Sequence, residues 1–382
     1  MSGITSTQPP GPAAIVEPIN PTQGEESVES VALNDLCEMT IEYGASDLHV
    51  TVGLPPVLRI DGRLHTLPFR RIGPLDTQRL IYDILTDRQV EAFEKTHELD
   101  LSYGIAGLGR FRANVFMQRG SVAAALRTIP TRIPTIEQLN LPSVVLDVTN
   151  RHSGLILVTG ETGCGKSTTL AAMIDHINQS RACHILTIED PIEYLHNHAR
   201  SMVNQRELGS DTYGFAPALR SALREDPDVV LVGELRDLET VETALQVSET
   251  GHLVLATLHT RSAPQTVDRI IDIFPPYQQE QVRVLLANCL EGIMTQQLIP
   301  RANGHGRVPA LEVLLATSAI RNLIREAKTH QMSTVIETGG QYGMMTMDGS
   351  LAELVRRGTI THEEGAMRAL DADHFQRLLM AR

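Results

Sequence analysis

Apolar and polar positions change rhythm near residue 150, and the change divides the chain. Upstream, Val31, Leu33, Leu36, Met39 and Ile41 recur at mixed helical spacing, and residues 47–52 alternate as a half-buried strand does. Leu54-Pro55-Pro56 turns the chain into a second strand at 57–60, closed by the hairpin signal Asp61-Gly62. Residues 75–85 and 87–93 read as helices. Residues 100–103, 110–116 and 122–129 read as strands, with glycines in the stretch 104–109. The pattern predicts a small α+β domain built on an antiparallel sheet, with Pro130, Pro134 and Pro142 punctuating its exit.

Downstream the alternation gives way to continuous apolar runs separated by helical stretches. Residues 155–158, 185–188, 229–232 and 253–256 read as buried strands; 168–174, 212–224 and 238–250 read as helices. Strand and helix in alternation predict an α/β domain with a mainly parallel sheet and a ligand at the C-terminal edge of its strands. From about Glu280 the chain reads as largely helical. Ahead of both domains, residues 1–30 hold five prolines, four glutamates and no Lys or Arg, a composition that cannot bury a core and predicts a disordered acidic tail. The expected division is therefore a tail at 1–30, an N-terminal domain at 31–133, a linker at 134–150 and a second domain at 151–382.

Composition narrows the function classes. An apolar content of 42% in 382 residues is enough for two ordinary cores. The net charge of −13 argues against a general nucleic-acid binder, so no nucleic-acid partner is expected. Cys37, Cys164, Cys183 and Cys289 are scattered without a C-x-x-C pair, which points away from a zinc ribbon or disulfide framework and towards a reducing, cytoplasmic setting. The N-terminus has no basic and apolar signal regions, and no apolar run approaches membrane-spanning length, so any membrane role is expected to act through partners.

The chemistry centres on Gly160-Glu161-Thr162-Gly163-Cys164-Gly165-Lys166-Ser167, with Thr168 following, between the strand at 155–158 and a helix. This is the phosphate-binding loop of nucleoside triphosphatases in its required context. Glycines let backbone N–H groups converge on an anion, and the helix N-terminus adds partial positive charge. Lys166, one of only three lysines, reaches the β- and γ-phosphates, and Ser167 ligates Mg²⁺. The expected ligands are ATP and Mg²⁺.

Hydrolysis also needs acids to hold the metal and orient water. Glu234 ends the strand Asp228-Val229-Val230-Leu231-Val232-Gly233-Glu234 in a Walker B arrangement, and Glu189, Asp190 and Glu193 cluster after 185–188. Either group is alternatively an acidic turn capping a helix. His252 and His259 flank the strand at 253–256 and read as a γ-phosphate sensor. Arg220 and Arg224 share a helix face, either pairing with Glu225 or Asp226 or binding the acidic cluster or a neighbouring subunit. Arg110 and Arg112 point to one side of a strand, with Arg127 alone in another, and a half-solvated sheet face is an equal reading.

Taken in order, the Walker A loop, the acidic box 187–193, Walker B and the histidine box 251–260 resemble the secretion ATPase superfamily. Ala319-Ile320-Arg321-Asn322-Leu323-Ile324-Arg325-Glu326, Ser46-Asp47-Leu48-His49 and Leu54-Pro55-Pro56 narrow the resemblance to its PilT-type pilus retraction ATPases. The resemblance covers about residues 31–370. It implies a PAS-like N-terminal domain, a RecA-like ATPase domain and a homohexamer at the inner membrane. The expected partners are a PilC-like platform protein and a PilU-like paralogue. It implies that Arg110 and Arg112 complete the ATP site, with Glu193 as general base, Glu234 as Walker B acid, Glu189 near the metal, and His252 and His259 as the histidine pair. Pilus assembly and type II secretion ATPases are the first alternative, but their longer N-terminal region and four-cysteine motif are not found. A PilU-like accessory ATPase, a nucleic-acid motor and a poorly hydrolysing switch are the others. Two loop residues depart from the family: Glu161 adds negative charge near phosphate, and Cys164 sits beside a helix N-terminus, a position that can lower a thiol pKa and so raises oxidative inhibition as a hypothesis.

Overall fold

The computed structural model describes residues 27–130 and 132–380, in two compact units that divide between Thr131 and Arg132. The proline-rich tail expected at 1–30 lies outside the described residues up to position 26. Its last residues belong to the first unit: Val28 is fully buried, and Arg79 Nη2 donates to its carbonyl at 2.6 Å.

The first unit is a six-stranded antiparallel sheet in the order β3-β2-β1-β6-β5-β4. Its strands are β1 (Asp47–Val50), β2 (Val57–Ile60), β3 (Arg63–Thr66), β4 (Glu98–Ile105), β5 (Gly109–Gln118) and β6 (Ser121–Ile129). Alternation explains its two faces. Phe111, Ala113 and Val115 of β5 are buried against Leu36, Leu80 and Phe93, which come from the helices Leu33–Glu42, Pro74–Tyr82 and Asp87–Thr96. Arg110, Arg112 and Asn114 point the other way. The short strand β3 goes beyond the pattern reading. The two-residue turn that creates it, Asp61 (φ 48°) and Gly62 (φ 80°), has the pair of left-handed conformations a tight hairpin requires.

The second unit is a seven-stranded sheet in the order β13-β12-β7-β11-β10-β8-β9. Its strands are β7 (Gly154–Thr159), β8 (His184–Glu189), β9 (Met202–Glu207), β10 (Val229–Val232), β11 (Leu253–Leu258), β12 (Leu290–Pro300) and β13 (Arg307–Leu315). All neighbours are parallel except β12 and β13. Helices cover both faces, which is why β7, β10 and β11 are buried along their whole length and almost entirely apolar. Along β7, Leu155 and Leu157 enter one core with Leu245 and Leu286, while Ile156 and Val158 enter the other with Leu170 and Ile174.

One expectation changes here and another is refined. Residues 134–150 are not a bare linker: they carry the helix Val144–Thr149, and Ile136, Val145 and Val148 are buried in the second unit's core. The region after Glu280 is largely helical as expected, but it also holds β12 and β13, which extend the sheet before the helices from Ser318 onward. Among those, Ser318–Arg325 carries the AIRNLIRE residues. Ile320 and Ile324 are buried, and Arg321 donates to the carbonyls of Ala287 and Asn288 at the end of the helix Pro276–Cys289 and to Glu291 at 2.8 Å. A cation is well placed at a helix C-terminus, so Arg321 fastens this motif to the start of β12.

Candidate nucleotide site

The C-terminal ends of β7, β11, β10 and β8 lie side by side, since these strands are parallel neighbours. The functional residues follow from what each strand end carries. After β7 the loop Gly160–Gly165 leads into the helix Lys166–Ser180, with Gly160, Gly163 and Gly165 at φ of 137°, 79° and 92°. These angles are accessible to glycine and strained for other residues. Lys166 is buried, and its Nζ donates to the carbonyls of Gly160 at 2.8 Å and Glu161 at 3.1 Å, so its ammonium is folded inside the loop. Ser167 is exposed on the first helical turn, and the Thr168 hydroxyl lies 3.0 Å from that of Tyr194.

After β10, Glu234 accepts from Arg236 Nη2 at 2.7 Å and faces His259 Nε2, from the end of β11, at 3.3 Å. Burial works to raise this carboxyl, but the hydrogen bond from Arg236 and the His259 charge outweigh it, holding Glu234 below the usual carboxylate range and ionised at neutral pH. After β8, Glu189 accepts from the Thr187 hydroxyl at 2.6 Å and from Gln205 at 3.2 Å. Burial pushes its carboxyl up despite these bonds. Glu193 is exposed four residues on, its main-chain N–H reaching Glu189 Oε2 at 3.5 Å. Among the described residues no group of three His, Cys, Asp or Glu side chains is placed to hold a metal ion.

His252 does not join His259. It precedes β11, beside the start of β7, with its ring Nδ1 3.0 Å from the Val247 carbonyl and 3.1 Å from the Thr250 hydroxyl. The two histidines bracket a strand that crosses the whole sheet, which separates them by roughly 20 Å. His252 therefore packs at the end of the helix Leu238–Glu249, on the edge away from the phosphate loop.

Cys164 is also corrected. Its thiol is buried, and burial raises its pKa above the usual value, outweighing the nearby Lys166 charge. The helix N-terminus does not activate a thiol that solvent cannot reach. Mild peroxide is expected to leave ATPase activity unchanged; a loss of activity reversed by thiol reductant, and absent in Cys164→Ser, would contradict this. The other departing residue, Glu161, pairs with Arg261 at 2.8 Å, which balances its charge.

Arg110 and Arg112 belong to the first unit. Arg112 lies directly opposite Arg127 on β6, which opposes Asp47 on β1, which opposes Arg59 on β2, so three arginines and one aspartate form a row across the polar face. Asp47 binds Arg127 at 2.9 Å and Arg59 at 3.6 Å, while Arg112 is exposed. Arg220 pairs with Glu239 rather than with Glu225 or Asp226; Glu225 is held by Arg206. Arg236, Arg261 and Tyr194 were not visible as site residues, because a lone arginine or tyrosine in a loop carries no spacing signal.

A family model described as type II/IV secretion system protein matches residues 22–367. The type IV pilus retraction ATPase PilT of Pseudomonas aeruginosa is 48% identical over 343 residues, 90% of this chain and 99% of PilT. The type IV pilus ATPase PilU of the same organism is 39% identical, over 90% of each chain. A crystal structure of the pilus retraction motor PilT with bound ADP superposes with a TM-score of 0.85 at 52% identity, covering 91% of this chain and 99% of that one. The chain belongs to the type II/IV secretion system protein family, and it is an ATPase of the PilT type.

Proposed function

We propose that this ATPase powers the retraction of type IV pili as a homohexameric motor. The observation that carries the reading is the 48% identity to PilT across 99% of that protein, against 39% to PilU. The AIRNLIRE residues and the phosphate-loop geometry agree with it. The loop N–H groups and Lys166 bind the phosphates and take up the charge that develops on them. Glu193 accepts a proton from the attacking water, and Glu234 with His259 and Arg236 senses the γ-phosphate side. Ser167, the ionised Glu234 and Glu189 are the oxygen donors that would hold Mg²⁺, which would neutralise phosphate charge.

In this reading, hydrolysis drives rigid-body movement between the two domains, which passes around the ring to a PilC-like platform protein, and pilins return to the inner membrane. No helix among the described residues is long and apolar enough to cross a membrane, so the reading places the motor at the membrane through its partners. The test is a strain lacking the protein. Numerous pili that extend but no longer shorten are expected. Bald cells would show an assembly motor, and normal pili a PilU-like accessory or a separate secretion system.

A further inference from the structure

β12 runs parallel to β7 with Thr295 opposite Thr159, so the next residue, Gln296, arrives where the phosphate loop begins. Gln296 is a primary amide only 3% exposed, and buried polar atoms of this type need partners. Its partners come from the loop and the helix behind it. Nε2 donates to the Cys164 carbonyl at 2.7 Å, and Oε1 accepts from the Thr169 hydroxyl at 2.8 Å. The same residue walls the loop. A Cβ on Gly160 would overlap the Gln296 carbonyl oxygen, and one on Gly165 would come within 2.8 Å of Gln296 Nε2.

We infer that Gln296 is a positioning residue for nucleotide binding, holding the Cys164–Gly165 peptide in its phosphate-binding orientation. A trans peptide directs its C=O and N–H to opposite sides. A Cys164 carbonyl held towards Gln296 therefore turns the Gly165 N–H away from it, making that N–H available to an anion. Without the amide this peptide has no fixed direction, and nucleotide binding must order it. The Thr169 bond fixes which way the amide faces: an accepting Oε1 on the helix side leaves Nε2 for the loop. The inference rests on the assignment of the loop to nucleotide phosphates.

The test measures ADP dissociation constants by calorimetry and melting of the nucleotide-free protein, for the parent, Gln296→Met, Thr169→Val and the double variant. Methionine fills the space without either hydrogen bond. Loss of a buried bond of this type is expected to weaken ADP about tenfold in Gln296→Met, and about threefold in Thr169→Val, where the amide keeps its other bond. The double variant should be no weaker than Gln296→Met, because both substitutions act through one amide. A Gln296→Met protein that melts earlier but binds ADP like the parent would show a packing role only and overturn the inference, as would additive losses in the double variant. If Gln296→Met does not fold, Thr169→Val decides alone, with unchanged affinity counting against the inference. A parent protein that does not bind ADP would instead overturn the nucleotide assignment itself.

Discussion

Glu193→Gln is expected to abolish turnover while nucleotide binding survives, with kcat falling by roughly 10²–10⁴, the range of a positioned general base. The substitution is nearly isosteric, and an amide does not accept the proton of an attacking water. Glu193 is exposed, so the change opens no cavity, and what places the residue is its main chain, reaching Glu189 Oε2 at 3.5 Å. Glu189 is itself fixed by Thr187 and Gln205, which leaves the backbone at 193 in place when the side chain changes. Burial raises the Glu189 carboxyl, which makes it a poorer ionised partner for water than its solvent-facing neighbour. Single-turnover hydrolysis with an independent ATP-binding measurement checks the prediction. Normal hydrolysis would move the base to Glu234, whose carboxylate is already ionised but is engaged by Arg236 and His259.

How far the sequence could be read depended on whether a residue's surroundings were local. Val229–Val232 was legible to the residue because a strand buried on both faces is apolar throughout. The hairpin at Asp61-Gly62 was legible because its turn demands left-handed residues. β12 was not, since its centre reads Thr295-Gln296-Gln297. Two of these polar residues are buried: Thr295 faces the Thr159 hydroxyl at 2.9 Å, and Gln296 binds the phosphate loop. Their partners are more than a hundred positions away in the chain, so no periodicity marks them. His252 failed for the opposite reason. Adjacency in sequence to a functional strand placed it at the wrong end of that strand, where it meets a helix terminus instead of phosphate.

Lys166 marks the second large effect, and it separates from Glu193 by what is lost. Lys166→Ala is expected to lose binding and hydrolysis together. Charge-assisted hydrogen bonds contribute about 1.5–3 kcal/mol each, so losing a lysine that meets two phosphates weakens nucleotide by roughly 10²–10³ or more. The side chain is buried with its ammonium 2.8 Å from the Gly160 carbonyl and 3.1 Å from that of Glu161, the geometry of a cation already enclosed by the loop it shares with its ligand. Lys166→Arg should not rescue it. A planar guanidinium is longer and wider than an ammonium, and the loop around it is closed on the β12 side by Gln296. Calorimetry with a non-hydrolysable ATP analogue, which carries both phosphates, alongside melting of the nucleotide-free proteins, distinguishes the outcomes. Lost binding with an unchanged melting temperature supports a phosphate ligand. Retained binding in Lys166→Ala would mean that the loop N–H groups alone hold the nucleotide, and that Lys166 serves the transition state rather than the ground state.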